Sequence, residues 1–172
     1  MPFIEIRGWT RKTAIPYVTN RSPVFSELSL GVHSVNEGIL GPEIFINRIL
    51  EQYLLIYTVD GTGIIEFKNN KLVMDKHKIC IFSIDDHIIY YPVNSWHSIW
   101  VFIEGDACDN LHKICYGGDV TPTKMSNPEI VDRIFRDMMK NIQTPSIRSD
   151  LICSSLMYQL WVILFCLDRT RM

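Results

Sequence analysis

The sequence predicts a mainly β protein, a small barrel or sandwich, followed by two C-terminal α-helices. Three observations lead there. Short β-rich runs separated by turn residues occupy residues 25 to about 103, and from Ile79 onward they recur about every ten residues. After Pro122 the apolar spacing lengthens to that of a helix.

The strands follow in order. Tyr53-Leu54-Leu55-Ile56-Tyr57-Thr58-Val59 leads through Asp60-Gly61-Thr62-Gly63 into Ile64-Ile65-Glu66-Phe67-Lys68. Asn69-Asn70 then turns the chain into Lys71-Leu72-Val73-Met74, so consecutive antiparallel hairpins are expected. Ile79-Cys80-Ile81-Phe82, Ile88-Ile89-Tyr90-Tyr91 and Ser98-Ile99-Trp100-Val101-Phe102-Ile103 supply further strands.

The helices come next. Ser126-Asn127-Pro128-Glu129 carries a capping residue, a proline for the first turn and a glutamate placed for a capping box. Ile130, Ile134 and Met138, flanked by Val131, Phe135, Met139 and Ile142, form an apolar stripe, with Asp132, Arg133, Arg136, Asp137 and Lys140 on the wet face. Pro145 and Ser146 interrupt this helix. A second is expected from about Arg148 to Leu167, apolar around most of its circumference near its end and therefore in need of cover by the sheet or by another chain. With no internal repeat and no Ser/Gly-rich linker, residues 1–122 are expected to form the β-barrel with an N-terminal arm, and residues 123–172 a two-helix appendage.

Composition narrows the function classes. The 172 residues are 47% hydrophobic and 21% charged, which suits one globular domain and excludes disorder and collagen-like repeats. Seventeen basic against nineteen acidic side chains leave a formal charge of -2, so the chain carries no global positive field to hold nucleic acid. Five cysteines without a C-x-x-C pair point to free thiols in a reducing cytoplasm. Charge at Glu5 argues against a secretory signal, and Leu151–Leu167 spends Ser154, Ser155 and Gln159 where a membrane span wants apolar residues.

Taken in order, Arg48, the run Tyr53 to Gly63, Ile79-Cys80-Ile81-Phe82, Tyr90-Tyr91-Pro92 and Ser98 to Gly105 resemble the N-terminal effector-binding cupin domain of AraC-family transcriptional regulators. Ser154-Ser155-Leu156-Met157-Tyr158-Gln159-Leu160 is similar to the helix that follows the barrel in that family and pairs two subunits. The resemblance implies a double-stranded β-helix, a jelly-roll barrel, holding a small effector, often a sugar. It implies DNA contact only through helix-turn-helix motifs beyond Met172, so the chain is expected to be a bacterial regulator's sensing and dimerisation domain, not an enzyme, with no cofactor.

Carried over by that resemblance, Trp100 is the stacking platform, Tyr90 and Ser98 are hydrogen-bonding positions, and Arg48 donates to ligand oxygens; Leu156, Leu160 and Leu164 are the dimerisation positions. Parity alone puts Trp96, Ser98, Trp100 and Phe102 on one strand face, and an aromatic face with a polar rim suits a small ligand. The turn residues Asp75-Lys76-His77-Lys78 and Ser83-Ile84-Asp85-Asp86 depart from the family's pattern, and a one-residue slip would exchange Tyr90 for Tyr91. The family pattern favours Tyr90. Trp9, Pro16, Tyr17 and Pro23 have the apolar weight to fold over a pocket mouth.

The rival reading is a metal-dependent cupin enzyme, a sugar isomerase or dioxygenase, using the evenly spaced His77, His87 and His97. No H-x-H is present to support it, and no catalytic residue is assigned: no nucleophile motif occurs, and Asp85-Asp86 reads as a solvated turn. A dimerisation module with a solid core is a third reading.

Overall fold

The computed structural model describes residues 3–8, 14–18 and 22–169. Nine strands form one curled sheet: β1 (Ile4–Arg7), β2 (Ala14–Val18), β3 (Gly31–Leu40), β4 (Phe45–Ile49), β5 (Tyr53–Phe67), β6 (Asn70–Met74), β7 (Lys78–Phe82), β8 (His87–Glu104) and β9 (Thr123–Lys124). Three helices follow or interleave: α1 (Ala107–Tyr116), α2 (Pro128–Ile142) and α3 (Ile147–Arg169).

Two long strands make the barrel. The first half of β8 pairs with β4 through residues 87–90 and its second half with β3 through residues 96–104, while β5 runs along both halves. β5 in turn pairs β7 through residues 54–57 and β6 through residues 63–67. Because β5 and β8 change partners midway, each belongs to two walls, and the walls face each other as in a jelly roll. The bend falls where the β5–β8 register shifts, between Thr58 and Asp60 and between Gly61 and Gly63, the local irregularity that curves a sheet. Gly61, at φ 76°, sits at that bend with its α-carbon against the Ser95 carbonyl, where no side chain fits. The two strands expected over 88–91 and 98–103 are thus one bent strand.

Alternation along the strands builds two cores. Leu40, Ile46, Leu54, Ile56, Ile65, Met74, Cys80, Phe82 and Trp100 point into the barrel. Val35, Tyr53, Leu55, Tyr57, Ile81, Ile99 and Val101 point out of it, under α2 and α3. The β5–β6 turn places Lys68 and Asn69 at positive φ, one residue earlier than the expected Asn69-Asn70, because a two-residue turn of this hand needs left-handed backbone at both central positions.

The sequence predicts no helix at α1: Cys108, Leu111, Cys115 and Tyr116 mark its inner face, but the exposed Ile114 blurs the apolar repeat. It ends at Gly117, whose left-handed backbone (φ 60°) turns its N–H to the Lys113 carbonyl at 2.9 Å. α2 starts at the expected proline, but the Asn127 side chain makes no capping bond. The core face of α2 is Val131, Ile134, Phe135, Met138, Met139 and Ile142; Ile130, expected in that stripe, faces solvent in part. α3 lays Cys153, Met157, Leu160 and Trp161 into the outer core. By length and composition alone, Ile147–Cys166 could cross a membrane, and close to half of that stretch is buried in the protein.

Candidate functional site

The barrel interior is where the expected ligand residues fall. Register decides it: Trp100 lies between Asn36 of β3 and Ile56 of β5, Ser98 between Gly38 and Thr58, and Phe102 between Ser34 and Leu54. Tyr90 lies between Ile46 of β4 and Ile65 of β5, and Arg48, two residues beyond Ile46, faces the same way. Arg48, Tyr90, Ser98 and Trp100 therefore all point inward. Tyr91 points out, stacks on Phe45 and donates to Glu66 Oε1 at 2.9 Å, so the choice between the two tyrosines goes to Tyr90.

Two of the four come together across the barrel. The Arg48 guanidinium projects from the β4 wall and lies 4.8 Å over the ring of Phe102 on the β3–β5 wall. It also stands beside the Tyr90 phenol: burial pushes that hydroxyl's pKa up, and the neighbouring guanidinium pulls against the shift. Tyr90 meets Trp96 edge to face at 6.4 Å. Trp96 Nε1 donates to Thr58 Oγ1 (2.9 Å), which donates to the Met74 carbonyl (3.0 Å), so this deeper end of the interior is satisfied within the protein. Gly63 leaves the space that the Trp96 ring occupies.

Two inward-facing atoms are not satisfied. Arg48 Nε and Ser98 Oγ are buried and have no hydrogen-bond partner. A buried polar atom without a partner costs about 1–3 kcal/mol, a cost that a polar guest reaching it would relieve. Ser34 and Asn36, joined at 3.4 Å, extend the same wall beside Trp100. These two, with Phe102 as the ring under Arg48, complete the site. In sequence Ser34 and Asn36 look like the wet positions of an ordinary alternating strand, and only the closure of the barrel turns that parity inward. Arg48, Asn36 and Phe102 are half-buried and mark the mouth. Trp9, and the side chains of Pro16 and Tyr17 expected near that mouth, lie outside the described residues; Pro23 is exposed.

The three evenly spaced histidines do not converge. His77 Nδ1 is 3.2 Å from the Tyr57 hydroxyl, His87 Nε2 is 2.6 Å from Asn47 Oδ1, and His97 Nε2 is 2.8 Å from Glu37 Oε1. Among the described residues no three His, Cys, Asp or Glu side chains gather to hold a metal ion. Asp85 and Asp86 form a turn, with Asp86 Oδ2 accepting the Ser83 N–H at 2.8 Å. An open cleft of about 520 Å³ lies at the turn end, between Lys68–Lys71 and Asp85–His87, and none of the four interior residues reaches it.

Leu156, Leu160 and Leu164 are 9%, 0% and 2% exposed and belong to the chain's own outer core. Within the single chain they are packed inward and are not exposed as a pairing surface. The face of α3 that remains open carries Leu151, Tyr158 and Val162; Tyr158, Val162 and Ile163, with Ile130 and Ile134 of α2, line an apolar groove of about 620 Å³.

Two polar contacts tie the barrel wall to α2. Tyr57 donates to Asp132 Oδ1 at 3.1 Å, and Arg136 holds both carboxylate oxygens of Glu37. Asp132 and Arg136 stand one turn apart, on one side of the helix.

The family of AraC-like ligand binding domains matches residues 43–161. No curated protein matches the chain in sequence. Among solved structures it is similar to a cupin superfamily protein from Desulfitobacterium hafniense (6% identity, 55% of this chain and 80% of that one, TM-score 0.42). It is also similar to an RmlC-like cupin with a double-stranded β-helix fold from Methanocaldococcus jannaschii (12%, 62% and 95%, TM-score 0.43) and to a protein from Photorhabdus luminescens (14%, 59% and 82%, TM-score 0.44).

Proposed function

The chain belongs to the AraC-like ligand-binding domains, and from that premise we propose that it is the small-molecule sensing and dimerisation module of a bacterial AraC-type transcriptional regulator. Residues 1–122 are the sensing unit and residues 123–172 the pairing unit. DNA is contacted through a helix-turn-helix domain elsewhere in the regulator, in keeping with the formal charge of -2 here. Five free thiols, four of them buried, suit the cytoplasm.

The observation that carries this reading is the pair of partnerless buried atoms, Arg48 Nε and Ser98 Oγ, on inward-facing strand positions shared with Tyr90, Trp100 and Phe102. Arg48, Tyr90, Ser98 and Trp100 are the ligand-contacting residues: the indole gives an apolar platform and the rest give donors. Occupancy is felt outside the barrel because the inward Asn36 and Ile56 alternate with residues that touch the helices. Glu37, next to Asn36, is bonded to α2, as is Tyr57, next to Ile56. A ligand that prefers one placement of these strands shifts α2 with them. The α2–α3 groove, apolar and open, is the pairing surface for a second copy.

A thermal-shift screen against neutral sugars, polyols and small acids tests the sensing role. A binder at 100 times its Kd should stabilise the chain by about 2.7 kcal/mol, and Trp100→Ala should abolish the response. A complete screen without a shift, or a binder indifferent to Trp100→Ala, Tyr90→Phe and Ser98→Ala, would overturn the reading.

A further inference from the structure

We propose that the guest of this barrel is an organic anion, a small carboxylate on an apolar body, and that Arg48 is its counter-charge; the inference rests on the interior being the effector site. The argument is one of charge balance. Arg48 and Lys78 are described cations that share the inward parity of the strands; Lys78 is paired with Asp75 at 2.9 Å, and the acidic residues of the same strands are engaged elsewhere. Glu37 faces outward to Arg136 and His97, Glu66 to Tyr91 and Lys71, and Glu104, at the very end of β8, accepts from Gln52 Nε2 at 3.0 Å.

Arg48 differs in this from the other arginines whose side chains are engaged. Arg7 pairs with Glu5 and Arg136 with Glu37, both through carboxylate oxygens. Among the described residues no carboxylate pairs with Arg48; its neighbours are the Phe102 ring and the Tyr90 phenol. A half-buried guanidinium without a counter-ion is costly, and a protein that keeps one in an apolar space has left a charge for something else to complete.

Geometry says what completes it. The guanidinium lies over the Phe102 ring beside the Tyr90 phenol, and its Nε–H is left without a partner, a donor that a carboxylate oxygen suits. The Tyr90 and Ser98 hydroxyls add donors, while no carboxylate wall stands ready to accept from sugar hydroxyls. Trp100, Phe102, Ile46 and Leu54 supply an apolar lining for the rest of the molecule. A ligand with two charged acceptor oxygens at one end and hydrocarbon at the other matches all of these, whereas a neutral polyol leaves the charge unanswered.

Pairs of probes that differ only in charge test it on the full chain: benzoate against benzamide, hexanoate against hexanamide, with galactose as the neutral sugar, read by melting temperature and tryptophan fluorescence. At least one carboxylate should bind about tenfold or more tightly than its amide. Arg48→Gln should erase that preference by weakening the acids far more than the amides, and Arg48→Lys, which keeps the charge but not the fork, should recover part of it. An amide or galactose that binds as tightly as the acids, or acids indifferent to Arg48→Gln, overturns the anion proposal; if that binding still needs Trp100, the sensing role stands. No response to any probe sinks the anion proposal, and the broader screen above then decides the sensing role separately.

Discussion

Glu37 of β3 and Arg136 of α2 are joined by two parallel charge-assisted bonds, Nη1 to Oε2 at 2.8 Å and Nη2 to Oε1 at 2.9 Å. Burial works against the carboxylate, but the Arg136 bond, helped by His97, more than offsets it and holds the Glu37 pKa below its ordinary 4.5. A group whose pKa falls on folding stabilises the fold above its unfolded value and loses that contribution as pH drops through the folded one. Arg136→Met should therefore cost about 0.5–1 kcal/mol near pH 7, a modest figure because the arginine is half exposed. The difference from wild type should persist down to about pH 5 and fade at lower pH. Urea unfolding of both proteins across that range checks it; a gap that grows as pH falls would contradict the pair's role.

The two faces of α3 should answer substitution differently. Leu160 is fully buried in the outer core, so Leu160→Ala should cost about 2–5 kcal/mol, and Leu160→Glu should unfold the chain instead of releasing a monomer. Val162 is 59% exposed beside the groove, so Val162→Glu should leave monomer stability within about 0.5 kcal/mol. If α3 pairs two copies, Val162→Glu sediments as a monomer where the wild type is a dimer. An unchanged sedimentation coefficient removes the groove from the interface.

The contrast between Leu160 and Val162 also marks what could be read in the sequence. Alternation along 96–102 placed Trp100 and Ser98 on one face, and the i, i+4 stripe placed α2's core, because both depend only on local period. What local period cannot supply is what lies opposite a face. The sequence of α3 is apolar on nearly every side, so its own repeat does not distinguish leucines under the sheet from a valine over the groove. In the same way Asn36 alternates as a solvent-facing residue would, and becomes interior only because β3 and β8 close a barrel. α1 is not legible because its apolar residues do not keep to one face: Cys108 and Cys115 are buried while Ile114 is 58% exposed.

Gly63 and Trp96 define a steric prediction. A Cβ on Gly63 would overlap the Trp96 indole, which is fully buried and donates to Thr58. The backbone there has no positive φ, so the requirement is space and not conformation. Gly63→Ala should cost about 1–3 kcal/mol through overpacking, with a shifted tryptophan emission. A smaller cost with unchanged emission would mean that the indole has room to move.

Thiol chemistry tests the packing of the whole chain at once. Cys80, Cys108, Cys115 and Cys153 are buried, and Cys166 is exposed near the end of α3. Burial pushes the Cys80 thiol up and raises Cys108 and Cys153 each to about 12, with nearby carboxylates adding to the shift in the latter two. At pH 8 a thiol of that pKa is ionised in only about one molecule in 10⁴, and the thiolate is the species that attacks a disulfide reagent. Native protein should therefore release about one equivalent rapidly from Ellman's reagent, and the remaining four only on unfolding. Cys166→Ser should abolish the fast phase without altering the slow one. Two or more fast thiols in the native protein would mean that the core beneath α1 or α3 opens far more readily than its packing implies.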